Sequence, residues 1–126
     1  MGYYSDVAIA MKKEDALELI QREKAFEYSA VDSACKHIID DKVVIFNWSS
    51  VKWYEGYEDV SRIDKFLNEL ASLEKPYKKV IIGEEYEDIE VIDEWVEADD
   101  DADIVSEAIY PVRYISIEGE IWSEKI

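Results

Sequence analysis

The apolar periodicity of this chain predicts an α+β fold: a ferredoxin-like βαββαβ core with extra C-terminal antiparallel strand or strands. Three observations predict it. Alternating, strand-like runs open and close the first 83 residues, two stretches with helical spacing interrupt them, and two adjacent strand-like runs are joined by the polar pair Asp40-Asp41. At 126 residues the chain is long enough for one core and short for two domains, so residues 1–126 are expected to form a single domain.

The elements follow in order. From Tyr3 to Met11 the odd positions are mostly bulky (Tyr3, Val7, Ile9, Met11), while the even ones include Asp6, Ala8 and Ala10. Period two with unequal faces is a strand, its alanine face suited to lie under a helix. Lys12 to Lys24 sets Ala16, Leu17 and Ile20 among good helix formers, giving a first helix that ends near Phe26. Ser33–Ile39 and Lys42–Trp48 are the two arms of a hairpin. After the aromatic cluster Trp53, Tyr54 and Tyr57, the apolar residues Ile63, Phe66, Leu67, Leu70 and Leu73 recur at helical spacing as far as Pro76. Tyr77–Gly83 is a strand, and Ile109–Ile117 has strand formers on both sides of Arg113.

Charge is distributed unevenly. The formal net charge is −17, and residues 84–107 hold 13 acids and no base. The other 18 acids stand against 14 bases, so the chain is a nearly balanced body carrying one acidic segment. Within that segment the β-branched residues Ile89, Val91 and Ile92 favour a strand or long hairpin arm, and like charges at i, i+4 (Glu90/Glu94) disfavour a helix. Asp99-Asp100-Asp101-Ala102-Asp103 is expected as its solvated turn or loop. Carboxylates on alternate residues of a strand would stand about 6.5–7 Å apart, a spacing comparable to the charges along a polynucleotide.

Several chemistries fail on their residue patterns. Cys35 is the sole cysteine and His37 the sole histidine. They share a strand face at i, i+2, but such a pair is ordinarily structural, and one histidine leaves zinc without its usual ligands. Asp99, Asp101 and Asp103 have calcium-loop spacing, yet Ile104 and Tyr110 stand where that loop needs Gly and Glu. The pairs Glu84/Glu85 and Glu118/Glu120 are unremarkable among 31 acids. No catalytic residue, metal or cofactor is therefore expected. A phosphate loop, a nucleophile elbow and a metalloprotease helix motif are all absent. The acidic field repels nucleic acid and anionic membranes and attracts basic protein surfaces. The first residues have no basic and apolar leader pattern, no apolar run is long enough to span a membrane, and a single thiol forms no internal disulfide, so the cytoplasm is the expected compartment.

Three stretches carry a resemblance: Met1-Gly2-Tyr3-Tyr4-Ser5-Asp6-Val7-Ala8-Ile9-Ala10, Val51-Lys52-Trp53-Tyr54, and Ile82-Gly83-Glu84-Glu85-Tyr86-Glu87-Asp88-Ile89-Glu90. Together the chain resembles small acidic proteins encoded by tailed phages and prophages. The resemblance carries over no activity and no functional residue. It implies a context in which small acidic proteins inhibit host defence, restriction and CRISPR nucleases included, several of them by mimicking DNA.

The resulting expectation is a non-enzymatic acidic binding protein. Its partner-binding residues would be Glu84, Glu85, Glu87, Asp88, Glu90, Asp93, Glu94, Glu97, Asp99, Asp100, Asp101 and Asp103, with Trp53, Tyr54 and Trp95 as aromatic contacts. The partner would be the basic surface of a host protein, without direct nucleic-acid or membrane binding. Two alternatives stand beside it. One is a small-molecule module or hydrolase whose pocket, between sheet and helices, recruits Trp53, Tyr54 or His37. The other is a homo-oligomer, a homodimer for instance, that buries Trp95 and Trp122.

Overall fold

The computed structural model describes residues 4–84, 89–111 and 115–122. Its twelve elements are β1 (Ser5–Lys12), α1 (Lys13–Glu23), α2 (Ala30–Ser33), β2 (Cys35–Ile39), β3 (Val43–Val51), α3 (Glu58–Ser72), β4 (Tyr77–Ile82), β5 (Ile89–Glu94), α4 (Ala102–Glu107), β6 (Ile109–Pro111), β7 (Ile115–Ile117) and β8 (Glu120–Ile121). A six-stranded antiparallel sheet in the order β5-β4-β1-β3-β2-β8 forms the centre, and β6 and β7 make a separate two-stranded ribbon. Since β3 is antiparallel to both β1 and β2, those two strands run in one direction with β3 between them, and β4 flanks β1 on its other side.

Both faces of the sheet are covered. On one, Val7, Ile9 and Met11 of β1 meet Leu19 and Ile20 of α1 and Ile63, Phe66, Leu67 and Leu70 of α3, together with Phe46 and Trp48. On the other, Ala8 and Ala10 pack with Val43, Ile45 and Val80 beneath Val105 of α4, its C-cap residue Ala108 and Ile109 of β6. The small alanine face does lie under a helix, and that helix comes from the acidic segment.

Local chemistry sets the joints. Asp40 and Asp41 both adopt the left-handed conformation (φ 51° and 58°), and the Lys42 N–H donates to the Ile39 carbonyl at 2.9 Å. The register Ile39↔Val43 makes this a three-residue connection, Asp40–Lys42, in which short polar side chains tolerate positive φ. At the end of α3 the Glu74 N–H donates to Ala71 O and the Lys75 N–H to Leu70 O, with Glu74 at φ 56°. That is a Schellman stop with a glutamate in the position glycine usually fills, followed at once by Pro76. Glu14 and Asp15 in the first turn of α1, and Glu58 and Asp59 in that of α3, sit favourably at the positive ends of their helix dipoles.

Three features depart from the sequence reading. A one-turn helix, α2, precedes β2, held by Ser29 Oγ, which accepts from the Val31 N–H at 3.2 Å. The acidic segment is not one hairpin arm: it supplies β5, a turn and then α4. The described strands after residue 108 divide between the β6–β7 ribbon and a short edge strand, β8, on the main sheet. No described helix is long and apolar enough to cross a membrane.

Because Glu74 is exposed and strained at positive φ, Glu74→Gly is expected to raise stability by about 1 kcal/mol. Urea denaturation checks it: an unchanged or lowered midpoint would contradict the strain at this stop.

A candidate acidic edge beside an apolar strip

Strand β5 enters the sheet through β4, in the register Ile82↔Ile89, Val80↔Val91 and Lys78↔Asp93. Its alternation splits its side chains between the two faces. Glu90, Ile92 and Glu94 lie on the side of α1 and α3, where Ile92 packs against the core, whereas Ile89, Val91 and Asp93 lie on the side of α4. The carboxylates therefore form no continuous ladder on β5. Glu90 and Glu94, the two that share a face, stand about 13 Å apart along the strand with Ile92 between them.

Beyond β5 the segment turns and returns over the sheet. The Trp95 indole N–H donates to Asp103 Oδ1 at 2.8 Å, and Ser106 Oγ donates to Asp93 Oδ2 at 2.5 Å, so α4 is tied to the strand that precedes it. Lys78 Nζ donates to the carbonyls of Ser106 in α4 and Ile109 in β6. Asp99 organises the turn: its Oδ1 accepts from the Asp101 N–H at 2.9 Å, and its Oδ2 from Lys12 Nζ at 3.0 Å. Burial pushes the Asp99 carboxyl up, but the Asp101 N–H and Lys12 outweigh it and hold the group below the usual value. The same bond to Asp99, partly opposed by burial, raises Lys12.

Among the described residues, Asp99 is the one acid of the segment that is ion-paired with a base. Glu90, Asp93, Glu94, Glu97, Asp100, Asp103 and Glu107 are exposed, as is Glu84, which accepts from the Tyr4 N–H at 2.9 Å; Asp101 is half-buried. Glu85, Glu87 and Asp88 lie outside the described residues. Interleaved with the acids are exposed apolar side chains: Ile89 (39% exposed), Val91 (46%) and Trp95 (52%). Sequence reasoning used Ile89 and Val91 only as signs of a strand and missed them as surface; their alternation with acids was the available signal. For Lys12, 87 residues away from Asp99, no local signal existed.

The other candidates lie elsewhere. Trp53 is half-buried in the helix-side core, its ring centroid 4.7 Å from that of Trp48, and its indole nitrogen is buried without a hydrogen-bond partner. Tyr54 stands edge-to-face on Tyr57 at 5.2 Å. Both follow β3, which β1 and β4 separate from β5, so the structure does not bring them to Trp95. Trp122 packs against the helix-side core, and Cys35 is exposed on β2 with His37 half-buried two residues on. Asp101 and Asp103 do not converge with Asp99 on a cation: Asp103 serves Trp95, and among the described residues no three His, Cys, Asp or Glu side chains are grouped to hold a metal ion. A cleft of 310 Å³ opens between α1 and α3, lined in part by Asp15, Arg22, Phe66, Glu69 and Lys75.

No protein-family model, no curated protein and no solved structure matches this chain.

The Lys12–Asp99 pair joins the turn to β1, and its loss in Asp99→Asn is expected to destabilise the fold by about 1 kcal/mol at neutral pH. A carboxyl lowered from 3.8 stabilises above that value and stops doing so as pH falls through its folded pKa; a lysine raised from 10.5 stabilises below 10.5 until it deprotonates above it. The difference between wild type and variant should thus be flat between about pH 5 and 9 and shrink on either side. Denaturation midpoints across pH measure it, and a gap that persists in strong acid would contradict the pairing.

Proposed function

We propose that the chain is a non-enzymatic binding protein whose β5 edge and following turn engage a basic surface on another protein. One observation carries this reading. Exposed acids along residues 89–107 surround the exposed apolar residues Ile89, Val91 and Trp95, the composition of an interface with an apolar centre and a charged rim. Bases that could neutralise that rim are engaged in the body: Arg62 with Glu23, Lys75 with Asp15, Lys79 with Asp64, and Arg22 with Glu18 and Glu69. Taken with the resemblance to small acidic phage proteins, the partner is a nucleic-acid-processing or defence protein of the host cytoplasm, its basic channel occupied by these carboxylates in place of phosphates. The core, on this reading, belongs to the ferredoxin-like group; the strand succession β4-β1-β3-β2, all antiparallel, supports that assignment.

Capture of partners from a bacterial lysate tests the proposal. Recovery should fall steeply as salt rises, and the combined variant Glu90→Gln, Glu94→Gln, Glu97→Gln, Asp100→Asn should bind about tenfold more weakly or worse at low salt. Equal recovery by variant and wild type at every salt concentration would refute it.

A small-molecule reading is favoured by one feature, the buried Asp15. Asp15 lines the cleft between α1 and α3; its Oδ1 accepts from Lys75 Nζ at 3.0 Å, while its Oδ2 is buried without a hydrogen-bond partner. Thermal-shift screening with small amines separates the two: stabilisation that disappears in Asp15→Asn favours the cleft.

A further inference from the structure

The two long edges of the main sheet are finished differently. At one, β8 pairs with β2 (His37↔Ile121, Ile38↔Glu120), and the Trp122 N–H donates to Lys36 O at 2.9 Å. Gly119 allows this close approach: at φ 98° it sits where a Cβ would stand 2.6 Å from the Ile38 carbonyl oxygen. At the other edge, no described strand pairs with the outer side of β5. Alternate N–H and C=O groups of Ile89–Glu94 therefore point away from β4, and an edge of this kind is a template for one more strand.

Charge decides which strand. Glu90, Asp93 and Glu94 put three carboxylates into six residues, and a second copy of β5 laid alongside would bring like charges together, an arrangement that is destabilising across a strand pair. A strand of opposite sign meets no such barrier. We propose that β5 binds an extended basic segment of the partner by strand addition, extending the sheet beyond six strands. This rests on the reading of the acidic surface given above and specifies how that surface is used. Main-chain hydrogen bonds supply the attachment, and side chains the selection.

The register dictates a pattern. Glu90 and Glu94 call for Lys or Arg at two positions four residues apart. Ile89 and Val91, on the opposite face, call for apolar residues on either side of the base that meets Glu90. Asp93 is already engaged by Ser106 and demands nothing. Read antiparallel to β5, the sequence Lys-Thr-Val-Val-Lys-Val meets these requirements. The carboxylates also act as a filter, because they reject neutral aggregation partners less strongly than acidic ones and favour basic ones over both.

The test uses this hexapeptide, acetylated and amidated, and two versions N-methylated on alternate residues so that each blocks one edge of the peptide. Binding to the full chain is followed at low salt by NMR, with amide exchange of Ile89–Glu94 as the second readout. Strand addition expects the parent peptide to bind and to slow exchange of alternate β5 amides. Just one methylated version should lose affinity, by about tenfold or more, since only one edge of an added strand faces the sheet. Both methylated versions binding like the parent would overturn strand addition and leave the acidic surface standing as a charge-only site. Loss in both would overturn it as well. No binding of the parent would overturn it too, leaving the acidic surface to be judged on salt-dependent capture alone. If the peptide-free chain sediments as a dimer with β5 amides already protected, a second copy occupies the edge and the proposal falls.

Discussion

Everything else in the fold depends on the two unequal faces of β1. Val7, Ile9 and Met11 are fully buried against α1 and α3, and Ala8 and Ala10 are as fully buried on the other side. A strand buried on both faces must be central, and β1 lies between β3 and β4. The bulky face fills the space under two long helices. The alanine face leaves room only for something that approaches the sheet closely, and the short helix α4 does so with Val105 and its C-cap residue Ala108. That demand for a close lid draws the acidic segment back across the sheet after β5. The site is thus placed by the size of two methyl groups beneath α4.

The same geometry explains why the surface of a nearly balanced body is so acidic at one edge. Glu23, 3% exposed at its side chain, accepts from Arg62 through both oxygens and from Ser29 Oγ, and the Arg62 guanidinium lies 3.8 Å from the centre of the Phe26 ring. These contacts fasten the loop between α1 and α2 onto α3. Lys79 and Lys75 likewise spend their charges on Asp64 and Asp15. Removing one partner of such a buried pair leaves the other charge unsolvated, so these bases are held where they are. Burial still leaves Asp15 raised above its ordinary value despite Lys75, and its second oxygen is unpartnered. These cationic side chains therefore stabilise the interior and the helix joints, while the carboxylates of residues 89–107 other than Asp99 and Asp101 stay exposed.

Period and turn chemistry made most of the core legible in the sequence. Alternation placed β1, the Asp40-Asp41 pair placed the hairpin, and Ile63, Phe66, Leu67 and Leu70 placed α3. The acidic segment was legible in charge and only partly in shape. Its β-branched run gave β5 correctly, but Ala102 and Val105, the buried side of α4, with Ala108 at its C-cap, are too few and too short a run to stand out among the aspartates. A six-residue helix owes its existence to the sheet it covers rather than to its own propensity. The aromatic residues divide for a related reason: Trp53 lies among charged neighbours in sequence but packs at a tilt against Trp48 in space, whereas Trp95, in a similar sequence setting, is exposed. Polarity of neighbours along the chain does not determine which side of a turn an indole takes.

The contrast between the sheet's edges joins stability to recognition. An open edge strand with apolar side chains is an aggregation hazard, and the usual defences are closure by another element or charges on the strand. This chain uses closure at β2, where Gly119 lets β8 come within reach, and charge at β5, where three of six residues are acidic. The two defences are not equivalent. A closed edge excludes every partner, whereas a charged edge excludes partners by sign and leaves the backbone available to the opposite sign. Ile89 and Val91 pair with Ile82 and Val80 across β4 yet stay 39% and 46% exposed between those carboxylates, outside both core clusters. Their exposure makes physical sense when the edge is occupied: a basic strand would neutralise the rim and cover the apolar strip in one step.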